Sequence, residues 1–381
     1  MTDIDLLGNV ALQHSALIDR DHNLLAVRLA WRPRAGERAP GVAALLSTLS
    51  ASPSGPSATL LLPVQDASCL EAFRRQDRPE RFWIEFPAEL AAEPLACEAM
   101  LDLHAAGAQL ISRGRVAAAS PLTSRVALCI AEEGDLRVQE GMQSLPDLDR
   151  AFAGGAAAVL GWPVQGSLCP TDQGIEQEAA LQVLIDLIQH IDNEDQVDKL
   201  EALLARSPTL SFRLLGYLNS AACGLRSEMT SVRHAIMMLG FRKLRQWVAL
   251  LLASAVETPR TRPLMQASVR RALLMQELSL RLGSGEGHGD MFICGVFSLL
   301  DKMMGKPMAE LLRNVPLPEA VSQCLTAGGG PLKPYLDLAC GIESALPFDL
   351  DAACEATATT PAEVNLAVLV ALHRAGELGW A

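Results

Sequence analysis

The sequence predicts two domains of different class: an α/β amino half and an all-α carboxyl half. Three observations carry that reading. Short apolar runs of strand type occur only before Val164, they alternate with stretches of helical spacing, and beyond about Glu176 only helical periodicity remains. A length of 381 residues agrees with two domains as a prior. We place the α/β domain at 1–164, a polar, turn-rich linker at 165–175 and the all-α domain at 176–381.

In the amino half, 58–64 (ATLLLPV) and 81–86 (RFWIEF) read as buried strands bounded by turn residues. Helical stretches at 69–76 and 89–106 follow them, so the order strand, helix, strand, helix implies parallel β/α units. The Gly- and Pro-rich stretches 52–57 and 154–163 read as loops. In the carboxyl half, 179–191 places Ala180, Leu184, Leu187, Ile188 and Ile191 on one helical face. Ser207 caps a helix with Pro208 in its first turn. Ser231 opens another helix, which stops at Gly240, and 241–255 forms the next. No repeat of solenoid period is present.

Composition excludes several classes. Half the residues are hydrophobic and 20% are charged, so the chain is not a disordered one. A net charge of −12 excludes a generally basic nucleic-acid scaffold. The longest uncharged stretches, 39–65 and 151–171, are broken by Pro, Gly and Ser and make poor membrane spans. The N-terminus is acidic and lacks a signal-peptide pattern, so a cytoplasmic location is expected. The nine cysteines are scattered singly, without CxxC spacing, and read as buried thiols rather than a disulfide framework or zinc ribbon. No lysine precedes Lys199, and no asparagine lies between Asn23 and Asn193. Metal-dependent phosphodiester chemistry needs clustered oxygen ligands, usually with a lysine beside them. The amino half has no lysine for that role.

Residues 13–34 (QHSALIDRDHNLLAVRLAWRPR) resemble the opening of EAL domains, the cyclic-di-GMP phosphodiesterase family: strand, D-R-D turn, second strand. The resemblance places the family's first metal-binding Glu at Arg28. Near Gly107, the family's Asp-Asp-Phe metal motif is replaced by GAQLISRGR, with Arg113 and Gly114 in place of the acids. Residues 139–144 (QEGMQS) look like the family's A-E-G-V-E-T segment, retaining Glu140 and substituting Gln143. Glu85 falls at a strand carboxylate of the family. An arginine cannot ligate a divalent cation. A full barrel of this kind needs roughly 250 residues and about 160 are available, so a trimmed or incomplete TIM-like barrel is expected. Glu85 and Glu140 face two readings, a ligand site or structural pairing, and Arg28 is a candidate partner for either.

Residues 203–254 resemble the HDOD domain. The motif positions are Pro208 and Leu210 in a turn, Asn219, Ser220 and Gly224 at a helix end, then Ala235, Leu239 and Gly240 in the following helix. HDOD domains resemble metal-dependent HD phosphohydrolases without the His-Asp dyad. Accordingly, no His here is followed directly by Asp, and the dyad positions fall on Ser298 and Leu299, with an upstream His position near Ala267. His288 and Asp290, in a Gly-rich stretch, read as a solvated loop or as two ligands of one ion. His234 reads as a helix core or groove residue, and Met237, Met238, Met303 and Met304 as core filler. Arg206, Arg213, Arg226, Arg233, Arg242, Lys243 and Arg245 face a single acid, Glu228, in the same stretch. This basic patch suits an acidic protein face or a nucleotide phosphate; nucleic acid is disfavoured because few aromatic side chains interleave the charges.

Together the two resemblances, over about 13–375, imply a degenerate EAL plus HDOD signalling protein. They imply a non-catalytic bacterial scaffold in cyclic-di-GMP-related signalling, with other signalling proteins as partners and neither cofactor nor metal. A residual cyclic-di-GMP phosphodiesterase and a nucleotide sensor without hydrolysis are the alternatives.

Overall fold

The computed structural model describes residues 7–34, 46, 59–76, 79–131, 136–166, 191, 199–200, 232–255, 258–281, 288–313, 315 and 317–377. The chain divides into two compact units. One comprises Met1–Gly166 with Cys340–Gly376 and Ala381, the other Ser167–Ala339 with Glu377–Trp380.

The first unit is built on a closed barrel of eight strands in sequence order. They are β1 (Val10–Asp19), β2 (Leu24–Pro33), β3 (Leu60–Pro63), β4 (Phe82–Pro87), β5 (Gln109–Arg113), β6 (Val126–Ile130), β7 (Arg137–Glu140) and β8 (Ala158–Leu160). β1 runs antiparallel to both neighbours, and β2 to β8 are parallel. The expectation of an incomplete barrel is therefore corrected: eight strands close within the first 160 residues. Brevity makes this feasible, because β5 to β8 have only three to five residues each. The expected loop at 154–163 contains β8, a three-residue strand between glycines that is too short to register as a pattern.

The D-R-D turn is tight because the Asp19 carboxylate accepts from the backbone N–H of Asp21 and Asn23 at 2.9 and 2.8 Å. Helices α1 (Ala67–Arg74), α2 (Pro94–Ala105) and α3 (Leu145–Ala153) connect the parallel strands. Asp66 caps α1, and α3 opens on a capping box of Ser144 and Asp147. The expected helix at 89–106 is split into a 3-10 turn (Ala88–Ala92) and α2, which starts on Pro94.

In the second unit, the helix α4 (Val232–Ala255) breaks at Gly240, where φ is +68°, a backbone that L side chains rarely adopt. α5 (Arg262–Arg281) is buried on nearly every face and packs on α6 (His288–Phe297). Gly295 makes that crossing possible, since a Cβ there would lie 2.4 Å from the Ala272 backbone. Short helices α7 (Leu300–Met304), α8 (Met308–Leu311) and α9 (Glu319–Ser322) follow, then a π turn (Gln323–Ala327) and α10 (Lys333–Glu343). Among the described residues no strand follows β8. Within the expected Gly-rich loop, His288 and Asp290 open α6 instead. Met303 and Met304 are buried, whereas Met237 is 59% exposed and fills no core. Of the expected helix at 179–191 only Ile191, helical and buried, is among the described residues, and the turn at 207–211 lies outside them.

The expected all-α domain 176–381 is divided, because 340–376 group with the barrel. α11 (Leu350–Thr357) and α12 (Pro361–Glu377) belong to this returning segment. Its anchor is visible on β1. Only Leu17–Asp19 of β1 pair with β8, so the rest of that edge needs other partners. Asn365, fully buried on α12, accepts from Leu12 N–H at 3.1 Å and donates to the carbonyls of Leu7 and Val10 at 2.7 Å. Gln13 donates its amide to the carbonyls of Gly341, Ser344 and Leu346. The segment thus covers a strand edge that would otherwise present unpaired backbone groups.

Replacing Asn365 with Ala strands those groups in a buried seam. Asn365→Ala is expected to lower unfolding free energy by about 3 kcal/mol, read from the urea midpoint of the full chain. An unchanged midpoint would refute the seam's role.

Candidate functional site

The parallel strands point their C-terminal ends to one mouth of the barrel, the position where such barrels carry their sites. Side-chain alternation decides what stands there. Ala26, Ile111 and Val138 fill the barrel core, with Trp83 packed against it. Two residues further along the same strands come Arg28, Arg113, Glu140 and Glu85, all on the inward face. An apolar lumen is therefore topped by one layer of charge.

The layer is a single connected ion-pair network. Arg28 reaches Glu85 through Nε and Nη2 at 2.6 and 3.0 Å. Arg113 also reaches Glu85, through Nε and Nη2 at 3.0 and 2.7 Å. The Arg113 fork continues to Glu140 through Nη1 and Nη2 at 2.7 and 2.8 Å. Glu85 is the buried centre, its side chain 4% exposed, while Arg113 and Glu140 form the rim at 42% and 39%. Two guanidiniums and two carboxylates leave the layer without net charge.

Proton affinities follow from these contacts. The Arg113 hydrogen bonds hold the Glu140 carboxyl below its usual range, against burial, with the charges of Arg113 and Arg28 assisting. Arg113 is itself pushed up, first by its bonds to Glu140, with burial opposing and Glu85 adding to the rise. Beside this rim lies a cavity of about 420 Å³ lined by Arg113, Ile130, Ala131, Arg137, Val138, Gln139 and Glu140. Arg137 was not singled out by the sequence; the alternation R-V-Q-E in a short strand was the available signal.

The structure brings together Arg28, Glu85, Arg113 and Glu140. It leaves out the other two substituted positions. Gly114 ends β5 at φ +90°, its N–H donating to Ile130 O. Gln143 lies past β7 and serves the α3 cap, its N–H donating to Asp147 at 3.4 Å. Nearby, Gly161 approaches Met142 so closely that a Cβ would lie 2.2 Å from the Met142 carbonyl oxygen. That contact seats β8 against the residues just after Glu140.

The EAL resemblance implies a divalent metal at this mouth. The donor set does not fit one. Every carboxylate oxygen of Glu85 and Glu140 already accepts from a guanidinium. A dication would have to enter between two fixed positive charges. Among the described residues, no group of three or more His, Cys, Asp and Glu is arranged to hold a metal.

In the helical unit, Ser298 accepts from Arg271 Nη1 at 3.2 Å, and Arg271 is 4% exposed. A guanidinium therefore bonds the residue that the HD resemblance sets at the dyad's His. Ala267, the upstream position, is fully buried. Asp290 is pushed up by burial, with the charge of Arg245 opposing. Arg245 of the basic patch thus has an acid in its field, while Lys243 is exposed. Pro208, Leu210, Arg213, Asn219, Ser220, Gly224 and Arg226 lie outside the described residues, as do the side chains of Arg233, Ala235, Leu239 and Arg242.

Two outcomes test the network. Arg28→Glu sets a third carboxylate against buried Glu85, with an expected cost of about 3 kcal/mol in a urea melt; an unchanged midpoint would show that the pair holds nothing. The lowered pKa of Glu140 makes its contribution full above the ordinary value of 4.5 and lost as pH falls through the folded value. Thermal melts from pH 7 to pH 3 should therefore show the wild type above Glu140→Gln at neutral pH, with the gap closing in acid. High salt should narrow the gap, because the pair is partly exposed.

Comparison with known proteins adds the following. The HDOD domain family matches residues 179–314. The chain is 30% identical over 140 residues to the cyclic di-GMP phosphodiesterase CdgJ of Vibrio cholerae, covering 37% of this chain and 32% of that protein. It is 26% identical over 163 residues to the uncharacterized protein YuxH of Bacillus subtilis, covering 42% and 40%. The matches thus span less than half the length of either relative. Among solved structures, the Bacillus subtilis YkuI protein, with an EAL domain and in complex with c-di-GMP and calcium, overlaps 62% of this chain and 75% of its own. That overlap has a TM-score of 0.28 and 13% identity, too loose to transfer any residue. Among the described residues, no helix is long and apolar enough to cross a membrane. The chain carries an HDOD domain at residues 179–314.

Proposed function

We propose that this chain is a non-catalytic signalling protein of cyclic-di-GMP-related pathways. Its barrel is a degenerate EAL module, and its helical unit is a platform for other signalling proteins in the cytoplasm. The observation that carries this reading is the saturation of Glu85 and Glu140 by Arg28 and Arg113. Phosphodiester hydrolysis of the metal-dependent kind needs carboxylates free to ligate a cation and to orient water. Here the same carboxylates neutralise arginines, and the first lysine of the chain is Lys199. The kinship with CdgJ supports the signalling context, and the HDOD match supports the interaction role. The mechanism is a population shift, in which partner binding favours one state of the protein over another.

Incubation of the full chain with cyclic-di-GMP and Mg²⁺ or Mn²⁺ tests this reading. No linear dinucleotide is expected. Hydrolysis that is abolished by Glu85→Ala would overturn it.

One observation favours a second reading, a nucleotide sensor without hydrolysis. The cavity of about 420 Å³ has Arg113 and Arg137 in its wall, a size suited to a small ligand. Titration calorimetry with cyclic-di-GMP separates the readings: binding lost in Arg137→Ala favours the sensor, and no heat favours the scaffold.

A further inference from the structure

His14 of β1 is a buried titratable group that the charged layer does not use. It is 5% exposed, and Trp162, just past β8, is 2% exposed. The indole Nε1–H donates to His14 Nδ1 at 3.0 Å. The two rings meet edge to face, with centroids 5.8 Å apart at 86°. We propose that His14 is a pH-sensitive latch: a proton taken up at Nδ1 breaks the bond to Trp162 and loosens the 340–376 segment from the β1 edge.

The direction of the bond fixes the state of the ring. An indole N–H can only donate, so Nδ1 is the acceptor and the neutral ring carries its proton on Nε2. Imidazolium has donors on both nitrogens. Protonation therefore sets two N–H groups against each other in a buried site, where a charge and an unmade hydrogen bond are both costly. Trp162 is poorly placed to yield. The preceding Gly161 donates its N–H to Ala16 O at 2.9 Å, and it lies too close to Met142 for a Cβ. The displacement falls on β1 instead.

There His14 adjoins both fastenings of the returning segment. Leu12 N–H donates to Asn365, and Gln13 donates to the carbonyls of Gly341, Ser344 and Leu346. Other charged groups at this edge are engaged or turned away. Strand alternation puts Leu12, Ala16, Val27, Leu29 and Trp31 on the face of His14, and none of them titrates. Arg28 and Arg32 of β2 register opposite Ser15 and Ala11, on the other face. In the returning segment, Asp351 pairs with Arg34, Asp349 caps α11, and Glu363 accepts from Thr360 at the start of α12. Glu343 is the buried acid at the end of α10, and His373 and Arg374 lie about two turns beyond Asn365. The latch goes beyond the signalling reading and does not depend on it.

A ring that takes no proton while the latch is closed, and takes one when it opens, links stability to pH. The ordinary histidine value is about 6.5. Above it the latch contributes fully; below it the closed state loses up to about tenfold in population per pH unit. The test is urea unfolding of the full chain at pH 7.5 and pH 5, wild type against His14→Gln, whose side chain does not titrate. Groups that titrate in both chains cancel in the ratio. The wild-type folding constant is expected to fall about thirtyfold more than that of the variant. His14→Phe, which keeps a ring and has no proton to take, replaces the glutamine variant if that chain fails to fold. Hydrogen exchange, corrected for the intrinsic rate at each pH, locates the opening. Protection of the Leu12 N–H and of 361–377 is expected to drop at pH 5 in the wild type and to persist in the variant. The wild-type exchange map needs no variant and decides alone if neither folds. An equal pH response of wild type and variant overturns the proposal, as does unchanged protection of 361–377 in the wild type at pH 5.

Discussion

Glu85 governs the amino unit. A carboxylate at 4% exposure needs its oxygens occupied and its charge met. Here four guanidinium N–H bonds from two strands do both. Because Arg113 also forks to Glu140, the network joins β2, β4, β5 and β7, of which only β4 and β5 are neighbours in the sheet. The layer therefore ties strands across the lumen, a job that backbone pairing cannot do. Such networks add little net stability over apolar packing, but removing one member leaves a buried charge uncompensated.

The β1–β2 ribbon links this layer to the carboxyl-terminal segment. Ser15 of β1 is registered opposite Arg28, and the ribbon continues from there to Val10 and Pro33. Asn365 and Gln13 fasten the returning segment to that extension. Arg34, just past β2, is paired with Asp351. The same strands that carry the charged layer thus carry the docking edge. In the helical unit, the guanidinium of buried Arg271 likewise bonds a neighbouring side chain, donating to Ser298.

Much of the site was legible because charge in an apolar context is informative on its own. Arg28 in LLAVRLAW and Glu85 in RFWIEF stand out against strand residues: an arginine cannot ligate a cation, whereas Glu85 stayed open between ligand and ion-pair partner. The pairing of Arg113 with both glutamates was not legible. It depends on which strands lie opposite across a closed barrel, and β5 to β8 are too short for alternation to reveal their faces. β8 was hidden for the same reason, with three residues between glycines. The split of the carboxyl half was also hidden. Periodicity reports that 361–377 is helical, yet it cannot report that Asn365 serves a strand more than three hundred residues earlier.

By itself the sequence determined the local grammar: where strands give way to helices, the turn at Asp19, the helix break at Gly240, and the absence of lysine from the barrel. These are properties of near neighbours in the chain, set by backbone preference and residue chemistry. Only the tertiary structure decided closure of the barrel, the neutral layer at its mouth, and the return of 340–376 to β1. Each of these joins residues distant in sequence through packing and hydrogen bonds, and such contacts exist only once the whole chain has chosen its partners.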